Sequence, residues 1–191
     1  MGFGNRGGGG PVTWFYISKG KFITGKGDDK AEYDVIDGTL TKIEFEDAEG
    51  FEGKKIRRVV MTLNDGDLTM KLGTDTAQGY GQQILKKLPN ADLSKSIEIS
   101  LSYDAATKKS GAFLRQGGTN LKQFWTKDNP GELPQCETQV FAGKTLYDWS
   151  KQEAYLEDYI LKHVASKIDS TAKSGGNGPA ASEEDGGNVP F

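Results

Sequence analysis

A chain of 191 residues with 35 % hydrophobic side chains has room for one domain plus extensions and enough apolar content to build its core. The net charge of −3 excludes a uniformly basic nucleic-acid coat, the single cysteine (Cys136) excludes an internal disulfide, and the single histidine (His163) excludes a histidine-built metal centre. No run approaches the roughly 18 apolar residues of a membrane span, and Met1-Gly2-Phe3-Gly4-Asn5-Arg6 has no apolar leader segment. The expectation is a cytoplasmic protein with no membrane partner; Arg6 also stands where an N-myristoylation signal needs Ser or Thr.

Charge is unevenly spread. Residues 1 to 27 hold Arg6, Lys19, Lys21 and Lys26 and no acid, and Lys54-Lys55-Ile56-Arg57-Arg58 adds four cations. Between them, residues 31 to 53 carry Glu32, Asp34, Asp37, Glu44, Glu46, Asp47, Glu49 and Glu52 against Lys42 alone. Such a chain can present one positive and one negative face.

In chain order, six glycines within the first ten residues predict a flexible arm over 1–10. Val12 to Ile23 is aromatic and β-branched, with Gly20 as a turn or bulge, and reads as strand. Thr39 to Phe45 alternates, placing Thr41, Ile43 and Phe45 opposite Leu40, Lys42 and Glu44. Ile56 to Leu63 and Asp67 to Leu72 flank Asn64-Asp65-Gly66 and predict a hairpin whose inner face carries Val59, Met61, Leu63, Leu68, Met70 and Leu72. Thr74 or Asp75 is expected to cap a helix running to about Leu88, with Tyr80, Ile84, Leu85 and Leu88 on one face.

Alternation then returns with Ile97, Ile99, Leu101 and Tyr103. A turn over Asp104 to Ser110 leads to Gly111–Gln116, and Gly117-Gly118 to a further strand over Thr119–Trp125. Three strands, a helix and two more strands match a five-stranded Greek-key barrel of the oligonucleotide/oligosaccharide-binding (OB) type, here mainly β with extra strands. Another small β-barrel or an α+β sheet gives the same order. Past the turn-rich stretch 128–134, Leu146, Trp149, Leu156, Ile160 and Val164 share a stripe and predict a long amphipathic C-terminal helix packed on the barrel or on another copy. The expected organisation is an arm over 1–10, the barrel over 11–130, an extension over 131–170, and an unfolded Gly/Ala/Ser linker with acidic tail over 171–191.

No catalytic motif survives inspection. Ala142-Gly143-Lys144-Thr145 ends like a phosphate-binding loop, but Thr138 stands where that loop needs glycine. Gly79-Tyr80-Gly81 has two glycines of a dinucleotide fingerprint, with Ile84 in place of the third, so helix packing explains them better. His163 reads as a surface or packing residue. The expectation is a non-enzyme without cofactor or metal.

What remains is aromatic and basic residues interleaved on strands, since rings stack on bases while Lys and Arg follow phosphates. The candidates are Trp14, Tyr16, Lys19, Lys21, Phe22, Arg57, Arg58, Phe113, Arg115, Lys122 and Phe124. Phe113 and Arg115 share one strand face, and Lys122 and Phe124 another. Either Trp14 and Tyr16 or Phe15 and Ile17 face the core, and at most one of Arg57 and Arg58 joins a given groove. Core packing is the competing reading for each ring, and the stronger one for Phe45, Tyr80 and Trp125.

The carboxyl-terminal segment reads Glu183-Glu184-Asp185-Gly186-Gly187-Asn188-Val189-Pro190-Phe191, three acids followed by an apolar plug. With Lys173 and these acids set aside, residues 1 to 170 carry a net charge of −1. A β-rich barrel, a flexible linker and an acidic tail ending in Pro-Phe together resemble the bacterial and bacteriophage single-stranded DNA-binding proteins. That family's tails end in runs such as Asp-Asp-Asp-Ile-Pro-Phe. The resemblance implies sequence-nonspecific binding of single-stranded DNA in replication, recombination or repair. It further implies that Glu183, Glu184, Asp185, Val189, Pro190 and Phe191 recruit partner proteins, with a homo-oligomer as a further possibility. Gly186-Gly187-Asn188 departs from the family by separating acids from plug. The competing class is an adaptor or inhibitor that copies the tail without binding DNA.

Overall fold

The computed structural model describes residues 11–50, 53–66, 68–77 and 79–168; the arm over 1–10 and the tail over 171–191 lie outside them. The strands are β1 (Val12–Ser18), β2 (Lys21–Thr24), β3 (Ala31–Tyr33), β4 (Val35–Glu49), β5 (Lys55–Asp65), β6 (Leu68–Asp75), β7 (Ser96–Asp104), β8 (Lys109–Gln116), β9 (Thr119–Asn120), β10 (Glu137–Phe141) and β11 (Lys144–Asp148). The helices are α1 (Gly79–Leu85) and α2 (Ser150–Ile160), and α2 continues through a π-helical turn over Leu161–Ala165. The molecule is mainly β, built on a mixed sheet in the order β3-β2-β1-β6-β5-β4-β7-β8-β9.

β4 organises the sheet. Its first residues pair with β7 (Val35↔Ser100 to Thr39↔Ser96) and the remainder with β5 (Thr39↔Asn64 to Glu49↔Lys55). The register shifts between Leu40 and Lys42, and this bulge changes which side chains point inward. Leu40 and Ile43 are therefore both buried, whereas unbroken alternation puts them on opposite faces. Gly38 lets β4 approach the backbone of β5 closely, since a β-carbon there would sit 2.9 Å from the Asn64 carbonyl oxygen.

The β5–β6 hairpin forms with Asp65↔Leu68 as its last pair and Gly66 at φ +55°. Val59, Met61, Leu63, Met70 and Leu72 are buried on its inner face. β1 adds to the far side of β6 in parallel (Trp14↔Lys71, Phe15↔Leu72) and turns through Lys19-Gly20 into antiparallel β2. β2 touches β4 and β7, far from it in sheet order, so the sheet curls round one core. That core draws Phe15, Phe22, Ile36, Leu72, Ile97 and Leu114 from six strands, and Ile84, Leu85, Leu156 and Ile160 from both helices.

Four expectations are corrected. Thr74 and Asp75 belong to β6, and the helix is the short α1, in which Gly81 is obligatory: a β-carbon there would lie 1.9 Å from the Asp75 carbonyl oxygen. The strand expected over Thr119–Trp125 stops at Asn120. The following chain runs as irregular structure, tied down by Phe124 N–H to the Lys86 carbonyl (2.7 Å). The segment expected only as a linker and helix contains the β10–β11 hairpin, turned by Ala142 and Gly143, both at positive φ. Leu146 therefore sits in β11, and the helix starts at Ser150. Finally, the acidic run of β4 folds directly onto the basic run of β5, with Glu46↔Arg58, Asp47↔Arg57 and Glu49↔Lys55 as cross-strand neighbours. The two blocks neutralise each other instead of making two charged faces.

Candidate nucleic-acid interface

Alternation along β1 decides the aromatic pair that sequence left open. Phe15 is buried, while Trp14 and Tyr16 are 48 % and 46 % exposed on the outer face. The parallel register sets Trp14 beside Lys71 of β6, whose Nζ lies 5.3 Å from the indole centroid, a cation–π distance.

Next along the same face is a groove of about 630 Å³, into which Tyr16, Tyr80, Tyr103, Lys19, Arg58 and Lys108 project. A smaller depression of about 380 Å³ around Trp14, Thr24 and Lys26 shares Tyr16 with it, so the two form one track. Arg58 lies across Gly73, and a β-carbon on that glycine would be 3.1 Å from Arg58 Cδ. Glu46 holds the guanidinium through Nε (2.9 Å) and Nη2. Tyr80 donates its hydroxyl hydrogen to the Ser102 carbonyl (3.2 Å), and burial pushes its phenol pKa up. Lys19 lines the groove from the β1–β2 turn. Asp75 is an acid within the lining. Lys19, Lys71 and Lys108 make no ion pair among the described residues, which leaves them available to an anion.

The groove thus gathers Trp14, Tyr16, Lys19 and Arg58 from the sequence candidates. Phe22 is a correction: at 0 % exposure it belongs to the core and offers no stacking face. Lys21 pairs with Asp34 at the β2–β3 edge. Arg57 points to the opposite face from Arg58, toward α2, donating to Glu157 through Nε (2.9 Å) and Nη2 (2.5 Å) and to Asp47 through Nη1 (2.9 Å). Phe113 and Arg115 do share the outer face of β8, outside the groove. Lys87 lies 5.4 Å over the Phe113 ring, and Arg115 is held by Glu98 (3.0 Å) and Asn120 (3.0 Å). Lys122 and Phe124 share no strand face, because the strand is absent there; Lys122 is exposed, and Phe124 packs edge-on against Trp125 (centroids 4.9 Å) and beside Tyr159. Glu183, Glu184, Asp185, Val189, Pro190 and Phe191 lie outside the described residues.

Sequence reasoning missed Tyr80, Tyr103, Lys71 and Lys108. Tyr103 continues an apolar face past the end of the core, whereas Tyr80 is partly buried and packs against the core, as its sequence reading has it, while also lining the groove. Tyr103 follows Ile97 and Ile99 in β7 and emerges at 38 % exposure.

Among the described residues no group of His, Cys, Asp and Glu is arranged to hold a metal ion, and no helix is long and apolar enough to cross a membrane. Comparison with protein-family models, with curated proteins and with solved structures finds no match to this chain.

Proposed function

We propose that this protein binds single-stranded DNA without sequence preference, along the track from Trp14 through Tyr16 to Tyr80 and Tyr103. The observation that carries the reading is the convergence of three outward aromatic rings (Trp14, Tyr16 and Tyr103) and the half-buried Tyr80 with three lysines that make no ion pair among the described residues. Rings stack on any base for about 1 to 3 kcal/mol each, and lysines follow the backbone.

The connectivity supports the reading. β4 pairs with β5 and β7, β5 with β6, and β7 with β8, and α1 stands between the third and fourth of these strands. An OB barrel shares this strand order, and its second and third strands present the usual oligonucleotide face. Here those strands are β5 and β6, which carry Arg58 and Lys71. The departure is β1, which occupies the outer edge of β6 and widens the face. The tail containing Glu183-Glu184-Asp185 and Val189-Pro190-Phe191 is proposed to recruit replication, recombination or repair proteins, a basic groove with an apolar socket being its complement.

One observation favours an adaptor that binds no DNA: Lys21, Arg57, Arg58 and Arg115 are all engaged by carboxylates. Titrating a fluorescent oligo-dT at two salt concentrations separates the two. Binding that weakens with salt and quenches tryptophan emission supports the DNA reading, and absence of binding at low salt sinks it.

A further inference from the structure

The β10–β11 hairpin stands apart from the main sheet as its own two-stranded sheet, and all ten of its strand residues are exposed. Val140, Phe141, Leu146 and Tyr147 are between 54 % and 76 % exposed. An isolated hairpin is marginal in water, and a bare strand edge carrying apolar side chains is a template for another strand.

The pattern of β11 selects its partner. Around the two-residue turn Ala142-Gly143, Phe141↔Lys144 is the pair that exchanges backbone hydrogen bonds, and the alternation continues through Gln139↔Leu146 to Glu137↔Asp148. Lys144, Leu146 and Asp148 therefore turn their backbone groups toward β10. Thr145 and Tyr147 turn theirs to the free edge, where no described backbone group meets them. A second β11, antiparallel and centred on Leu146, would satisfy those edge groups as reciprocal Thr145–Tyr147 pairs. The same register sets Leu146 against its own copy and Lys144 against the copy's Asp148, twice over by symmetry. The β10 edge has no such complementarity: centred on Gln139 it opposes Glu137 to Phe141, and Glu137 is already held by Lys151.

We infer that two copies of this chain associate through their β11 edges, making a continuous four-stranded antiparallel sheet about a two-fold axis at Leu146. The contact is isologous and small, so it gives a weak dimer in free solution. It needs no nucleic acid and stands independently of the DNA reading.

Sedimentation of the full chain without DNA tests it. The wild type should show concentration-dependent dimerisation, while Lys144→Glu and Asp148→Lys, which each oppose like charges, should lose roughly tenfold or more in dimerisation constant. Mixing these two variants should restore the dimer, because each then supplies the charge the other lacks. Asp148 also accepts the Ser150 N–H (2.9 Å) at the start of α2, so a variant that spares that bond is needed as well. Leu146→Cys should form a disulfide-linked dimer under mild oxidation, since closely spaced antiparallel pairs bring Cα atoms to about 4.5 Å. A wild type that stays monomeric at all concentrations overturns the proposal. So does a mixture that stays monomeric, or a Leu146→Cys chain that cross-links no faster than Val140→Cys on the other edge.

Discussion

Gly20 presses against Tyr103: a β-carbon on the glycine would lie 2.9 Å from the Tyr103 backbone nitrogen, and Gly20 holds φ at +77°. This contact locks the β1–β2 turn onto β7 and so holds Lys19 and Tyr103 in one groove. Gly20→Ala meets both the clash and the left-handed backbone, and should cost about 1 to 3 kcal/mol of stability. Thermal unfolding checks the loss, and oligo-dT affinity of the folded fraction should fall with it as the groove opens.

Trp14 faces outward at 48 % exposure, whereas Phe124, though 38 % exposed, packs against Trp125 and beside Tyr159, and the same truncation should separate their roles. Trp14→Ala should weaken oligo-dT binding by about 1 to 3 kcal/mol with little change in melting temperature. Phe124→Ala should lower melting temperature through the lost contacts with Trp125 and Tyr159, with affinity nearly unchanged. Equal effects of the two on affinity would remove Trp14 from the track.

Lys71 and Lys108 have no carboxylate partner among the described residues, whereas Lys21 is paired with Asp34. Replacing Lys71 or Lys108 by Ala should reduce the slope of log affinity against log salt by about 1, and Lys21→Ala should leave the slope as it is. Titrations at several salt concentrations provide the comparison.

Arg57 ties β5 to α2 through Glu157, and both side chains are partly shielded. Arg57→Ala should destabilise the fold by about 1 to 2 kcal/mol by denaturant unfolding, after discount for partial exposure. Affinity for oligo-dT should stay the same within about twofold, because Arg57 faces away from the groove.

Glu153 is pushed above the ordinary carboxylate range, first by burial and then by the neighbouring charge of Asp75. A raised carboxyl pKa means that the folded state holds the proton more tightly than the unfolded chain. This residue therefore favours folding at acidic pH, and the benefit is lost as pH rises from the unfolded value of 4.5 through the raised folded one. Glu153→Gln should be neutral or stabilising at pH 7, with the difference shrinking below pH 4.5, as urea melts across pH will register.

Much of the sheet is legible in the sequence because its signals are local. Period-two alternation marks Ile97 and Ile99 as inward, and Asn64-Asp65-Gly66 marks a hairpin, because each depends only on neighbours along the chain. Leu40 and Ile43 escape that logic, since a bulge is an agreement between two strands. The β10–β11 hairpin escapes it because Leu146 and Trp149 also fit a helical stripe, and the turn at Ala142-Gly143 competes with that period. Of the candidate site, Trp14, Tyr16, Lys19 and Arg58 were visible as strand or turn residues with the right chemistry. Tyr103 was not, because a ring at the end of an apolar face looks like core until the end of the core is located; Tyr80 reads as core and does pack against it, lining the groove as well.

By itself the sequence determined where β5 turns into β6 and β7 into β8, which side chains share a face of β8, and that one apolar core must form. Tertiary structure alone decided the electrostatics and the groove. The acids of β4 and the cations of β5 are separate blocks along the chain, and antiparallel pairing sets Glu46 beside Arg58 and Asp47 beside Arg57. The same long-range pairing brings Tyr16, Tyr80 and Tyr103 from β1, α1 and β7 to one groove. Register between strands distant in sequence is fixed by burial of the whole sheet, and no local pattern encodes it.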